Sequence, residues 1–320
     1  MSSKNVSNGQ NTKDSEISRN ERPVADEKYE EVKIPVPWGH ISGKWWGPKL
    51  KQPILAIHGW QDNSGTFDTL APLLRDRGLS IFCIDLPGHG FSSHLSPGQF
   101  YYLFWDGVHF IRRIVKYFSW SKITLIGHSL GGAISFLYAG IYEQDVEKYI
   151  SIDIAGPTVL HVEILKNIQQ KAVDSIFKYE NLNPNNQPRY SYEEMVDLVL
   201  DAHKGSLTRK SSEIMLRRGM VPDEEKPNCY KLTRDPRLKF SFLAAFTRDQ
   251  VLDYASRTRC KVLNIRAVPG YPFDDVLYED VLNCLAKNAD LTRVRVSGTH
   301  HLHLNDPESI IEHIYKFLTS

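Results

Sequence analysis

Gly127-His128-Ser129-Leu130-Gly131-Gly132 is the segment of this chain best built to do chemistry. An apolar run, Lys122–Ile126, precedes it, and a helical pattern, Ala133–Tyr142, follows. A serine on a tight strand-to-helix turn projects its hydroxyl above a sheet, where it can attack an electrophilic carbon. Glycines two positions before and two after suit such a turn, because it is strained and the helix crosses close to the strand. The helix N-terminus beneath it favours developing negative charge. Ser129 is therefore read as a nucleophile rather than a structural turn serine.

Three other loops carry reactive side chains. In His58-Gly59-Trp60-Gln61-Asp62-Asn63, Gly59 lets the backbone turn so that the Trp60 N–H points toward Ser129. With the Leu130 N–H it would form an oxyanion hole. Asn63 or Ser64 would also cap the helix that follows. The run from Asp85 to Ser93 reads as structural, with Asp85 and His89 fixing the loop. Near the C-terminus, His300-His301-Leu302-His303 offers the base that a serine hydroxyl needs. Three histidines within four residues also invite a metal reading, but no carboxylate or cysteine at matching spacing accompanies them. No metal and no cofactor is expected.

The elements that must position these groups follow from the apolar pattern. Lys28–Pro35 and His40–Trp46 read as a hairpin with Pro-Trp-Gly at its turn. From Ile54 to Ile154, short runs rich in Ile and Val alternate with helical stretches. Such runs suit strands covered on both faces, and the alternation predicts a mostly parallel sheet with helices on both sides. From about Pro157 to Arg257 only helical patterns occur, among them Ile164–Ile176 and Tyr192–Ala202. The alternation then resumes with Lys261–Ile265, Val276–Lys287, Thr292–Val296 and Pro307–Leu318. The expected organisation is a polar, disordered tail at 1–27, a core in two parts at 28–156 and 258–320, and a helical insertion at 157–257.

Composition narrows the function classes. The 320 residues include 39 Lys+Arg against 38 Asp+Glu, a formal charge of +1, which argues against a nucleic-acid partner. No apolar run reaches the ~18 residues of a membrane span, and the first 27 residues lack the apolar stretch of a secretory signal. Four scattered cysteines suggest reduced thiols and a cytoplasmic protein. The insertion carries Arg209-Lys210, Arg217-Arg218, Arg234, Arg237 and Lys239, read as a solvated helix face in preference to steering of an anionic substrate. Its aromatics, including Phe177, Tyr179, Tyr190, Tyr192, Phe240, Phe242 and Phe246, suit an apolar substrate or a small core of their own.

HGWQDNSGTFDTLAPLL from His58, DLPGHGFSS and GHSLGG, in this order, resemble the α/β-hydrolase superfamily and within it the serine hydrolase-like subgroup. The resemblance covers the chain from about Lys28 to the C-terminus. It implies an eight-stranded sheet and a lid formed by the insertion. In relatives the catalytic histidine follows a short glycine turn, with a proline seven positions later. His300 fits both offsets, with His301 next and His303 as a supporting residue. Relatives commonly place the triad acid after the seventh strand, where this chain has Gly270; Asp274 and Asp275 lie a little further on. Either could instead cap a helix. Asp153, ending the sixth strand, is the other choice, since a carboxylate at an apolar position is costly unless paired and an imidazolium would pair it. These residues point to hydrolysis of carboxylic esters of small, apolar substrates through an acyl-enzyme on Ser129, and the resemblance hints at detoxification or digestion. A carbon–carbon bond hydrolase and a non-catalytic ligand binder are the alternatives. Epoxide hydrolases and haloalkane dehalogenases attack through an aspartate where this chain has Ser129.

Overall fold

Runs that are apolar at every position can be satisfied only when both faces of a sheet are covered, and this chain covers both. The structure is a computed structural model and describes residues 29–96, 99, 104–180, 187–239 and 245–320. The tail expected at 1–27, residues 181–186, Phe240 and Phe242 lie outside the described residues.

The first half of the core contains β1 (Tyr29–Val36), β2 (Gly39–Trp46), β3 (Ile54–Ile57), α1 (Leu70–Asp76), β4 (Ile81–Ile84), α2 (Phe104–Tyr117), β5 (Ile123–His128), α3 (Leu130–Ile141) and β6 (Val146–Ile152). The insertion follows with α4 (Val162–Glu180), α5 (Tyr192–His203), α6 (Arg209–Gly219), β7 (Met220–Pro222), β8 (Tyr230–Leu232) and α7 (Arg248–Arg257). The chain closes with β9 (Lys261–Pro269), α8 (Asp275–Asn288), β10 (Asp290–Gly298), α9 (Leu302–Asn305) and α10 (Glu308–Thr319).

Eight strands form one sheet in the order β1-β2-β4-β3-β5-β6-β9-β10. β1–β2 and β2–β4 are antiparallel, and every other neighbouring pair is parallel. Alternate residues of each strand serve opposite faces. Leu55 and Ile57 of β3 join a layer with α2, α3 and α8, whereas Ile54 and Ala56 join a layer with α1 and α10. The carboxyl ends of β3, β5, β6 and β9 thus come to one edge, where open α/β sheets bind ligands. No helix among the described residues is long and apolar enough to cross a membrane.

Two expectations for the insertion are corrected. It is not purely helical, since β7 and β8 form an antiparallel hairpin of three residues each, too short to show as a periodic pattern. Arg218 is not on a solvated face. Its side chain is 2% exposed, and its Nε donates to Asp85 Oδ2 at 2.5 Å while Nη1 and Nη2 donate to Glu31 at 2.8 and 2.6 Å. The guanidinium fork thereby ties α6 to the loop after β4 and to β1. Asp85 also accepts from the Ser64 and Phe91 N–H groups, so it does fix its loop. Arg218→Met should leave the Asp85 charge buried without its cation and cost about 3–5 kcal/mol, measurable by urea denaturation.

Candidate active site

Ser129 sits at φ 50°, ψ −117°, between β5 and α3. This is a conformation that a non-glycine residue holds only when its surroundings over-determine it. The close crossing explains the glycines. A Cβ on Gly127 would lie 2.3 Å from the Gly131 carbonyl oxygen, and one on Gly131 would lie 2.1 Å from that of Ile57. The Ser129 N–H donates to Ile152 O at 3.2 Å, which fixes the turn against the neighbouring strand.

Ser129, His300, Trp60 and Leu130 face one cavity of about 880 Å³. Its apolar wall includes Leu86, Phe104, Phe110, Ile134, Ile154 and Phe273. From the insertion the wall takes Thr158 and the segment Ala202–Ser206, and none of the insertion's aromatics among the described residues lines it. Tyr190 and Tyr192 instead pack with Met195, Val196 and Leu216 in a small core of the insertion, and Phe246 packs on Phe104. Arg234 reaches back to the loop after β3 and donates to Gln61 Oε1 at 2.6 Å.

His300 lies just beyond β10, and its Nδ1 is 2.6 Å from Asp153 Oδ2. Asp153 directly follows β6 at φ 50° and is 1% exposed. Its carboxylate also accepts from the Ala267 N–H at 2.9 Å and the Tyr271 N–H at 3.0 Å, so three donors hold it. An imidazole fastened in this way through an Nδ1–H presents its Nε2 lone pair as a proton acceptor. Asp274 and Asp275 do not approach His300. Asp274 caps α8 by accepting from the Val276 and Leu277 N–H groups, and the exposed Asp275 pairs with Arg266.

Gly270 accounts for the placement of the carboxylate. It stands at φ 58°, and a Cβ there would lie 2.6 Å from Ala267 O and 2.7 and 2.9 Å from the two oxygens of Asp153. The space that a side chain at 270 would occupy is the space through which Asp153 reaches His300. Gly270→Ala should therefore cost more than about 1 kcal/mol in thermal unfolding and lower kcat by displacing Asp153.

Three other histidines surround Asp62. His301 Nε2, His128 Nδ1 and His203 Nε2 lie 3.3, 3.4 and 3.4 Å from its oxygens. Burial opposes ionisation of Asp62, but the imidazoles, His301 first, outweigh it and hold the carboxyl well below its usual range. Burial pushes His128 down to about 3. His128 also donates from Nε2 to His300 O at 2.9 Å and so braces that loop. His303 is buried against Thr66 Oγ1 at 2.9 Å. His58 and His89 brace the loops beside Trp60: His58 Nε2 accepts from the Leu86 N–H at 2.9 Å, and His89 Nε2 accepts from the Gln61 N–H at 3.2 Å. No local spacing marked Asp62, His128 and His203 as neighbours, because they come from three separate elements.

Comparison with known proteins agrees with this architecture. The family described as the α/β hydrolase fold matches residues 52–194. A probable serine hydrolase of Drosophila melanogaster is 49% identical over 92% of this chain and 89% of its own length. A serine hydrolase-like protein of Danio rerio is 34% identical over 90% of this chain and 88% of its own. Among solved structures, a hypothetical protein of Pseudomonas aeruginosa superposes with a TM-score of 0.77 at 27% identity, covering 91% of this chain and all of that one. The strand order, the turn at Ser129 and these identities together place the chain in the serine hydrolase-like family of the α/β-hydrolase fold.

Proposed function

We propose that the protein hydrolyses carboxylic ester bonds of small, apolar acyl substrates through a covalent acyl-enzyme on Ser129. The observation that carries this reading is the 2.6 Å contact between His300 Nδ1 and Asp153, made beside a cavity that Ser129 also faces. His300 Nε2 takes the Ser129 proton as Oγ bonds to the acyl carbon, while Asp153 stabilises the imidazolium that forms. The N–H groups of Trp60 and Leu130 hold the oxyanion. The imidazolium returns its proton to the leaving alkoxide, and a water deprotonated by His300 then releases the carboxylic acid and frees Ser129. Removing one oxyanion donor typically costs about 10²–10³ in rate.

The apolar wall of Phe104, Phe110, Ile134 and Ile154 supports an uncharged acyl group. The insertion lines the cavity through Ala202–Ser206, which supports its role as a lid that selects substrates. p-Nitrophenyl esters of graded acyl length test this directly. Saturable hydrolysis that depends on chain length is expected. No hydrolysis of any member, with the folded state intact, would defeat the reading.

A further inference from the structure

Asp62, His203 and His301 bring three metal-type donor atoms within 4.8 Å of one another, from three distant parts of the chain. Asp62 follows the Trp60 loop, His203 ends α5 in the insertion, and His301 adjoins His300. We infer that they bind a divalent transition metal of the zinc type at the seam between insertion and core. The inference goes beyond the hydrolytic reading and does not depend on it.

Three observations on geometry carry it. First, the Asp62 side chain is 1% exposed, yet neither of its oxygens makes a hydrogen bond of normal geometry among the described residues. A buried carboxylate without donors is costly, and a cation is the partner that would satisfy it.

Second, the donor separations fit coordination better than hydrogen bonding. His301 Nε2 lies 3.3 Å from Oδ2 of Asp62 and His203 Nε2 lies 3.4 Å from its Oδ1, each beyond the usual ~2.7–3.2 Å of a hydrogen bond. Ligands held tetrahedrally at about 2.0–2.1 Å from a zinc ion lie about 3.3 Å apart.

Third, the outer partners are in place. His203 Nδ1 is 2.8 Å from Val199 O, and a carbonyl oxygen can only accept, so that ring carries its proton on Nδ1. Its Nε2 is then turned toward Asp62, and a metal would bind there in place of any Nε2 proton. His301 Nδ1 is likewise 2.6 Å from Ser206 Oγ, leaving Nε2 toward Asp62. Protein-bound metals use this arrangement, in which the second ring nitrogen orients the first. Ser206 is itself held, since its carbonyl accepts from Thr299 Oγ1 at 2.7 Å and Asn305 Nδ2 at 2.8 Å.

Two imidazoles and one carboxylate leave coordination positions open, and His128 Nδ1 stands 3.4 Å from Asp62 Oδ2, outside the set of three mutually close donors. All four residues line the main cavity, which gives a metal access from solvent. No bond to the substrate and no redox step is involved. A bound ion would pin α5 to the loops carrying Trp60 and His300, and so hold the insertion over the cavity.

Titration of the full-length, chelator-treated protein with Zn²⁺ by isothermal calorimetry tests the site. One Zn²⁺ per chain is expected, with a rise in melting temperature on saturation. His203→Ala should lose both effects. Ser206→Ala, which keeps all three ligands, should weaken binding about 10–100-fold. If His203→Ala folds poorly, Co²⁺ added to the wild type decides the matter, since histidine–carboxylate ligation gives a ligand-field spectrum without thiolate charge transfer. Absence of saturable Zn²⁺ binding, binding undiminished in both variants, or a thiolate spectrum would overturn the inference.

Discussion

Ser129→Ala should lower kcat by about 10⁶ while leaving KM near its wild-type value. The size of the effect follows from the role proposed for this one atom. Oγ would form the covalent bond, and no later step can proceed without it. The residual rate, about 10³–10⁴ above the uncatalysed reaction, would come from the oxyanion donors at Trp60 and Leu130 and from substrate positioning. The fold should be indifferent to the change. Alanine meets the same φ of 50° as serine, and the turn is held by the Ser129 N–H to Ile152 O bond and by the glycine contacts, none of which uses Oγ. An unchanged melting temperature with lost turnover is the expected pairing.

Asp153→Asn should lower kcat by about 10⁴. The aspartate uses Oδ1 for the Ala267 N–H and Oδ2 for both the Tyr271 N–H and His300 Nδ1. Asparagine supplies one oxygen and one NH₂. With the oxygen toward Ala267, the NH₂ faces His300 Nδ1 and favours the tautomer protonated on Nε2, the atom that should accept the serine proton. With the oxygen toward His300, the NH₂ opposes the Ala267 N–H and the site is strained. Asp274→Asn is the matched control. Asparagine also caps helices well, and Asp274 contacts α8 rather than His300, so turnover should be unaffected. If Ser129→Ala and His300→Ala are combined with Asp153→Asn, their effects should fall far short of additive, because the three residues are proposed to act as a unit.

What could be read from the sequence and what could not divide along one physical line. The sheet was legible because each buried strand is a continuous apolar run and each crossover a helical pattern. The turn at Ser129 was legible for the same reason: its glycines are local requirements, imposed by backbone atoms four residues away or on the next strand. The choice between Asp153 and Asp274 was not legible, since it depends on a contact across 147 residues and on the room that Gly270 leaves. Arg218 was misread because one turn of helix looks the same whether its charge meets water or an aspartate 133 residues earlier. The partners that would complete a metal set with His301 are not its sequence neighbours: Asp62 lies on the loop after β3 and His203 at the end of α5.

The central claim is that Ser129 is an activated nucleophile, and a fluorophosphonate probe reports on that property alone. The labelled protein should carry one adduct, found by peptide mass spectrometry on the segment containing Ser129. Labelling should vanish in Ser129→Ala and slow sharply in Asp153→Asn. Labelling that persists in Ser129→Ala, or an adduct on any other residue, would contradict the account.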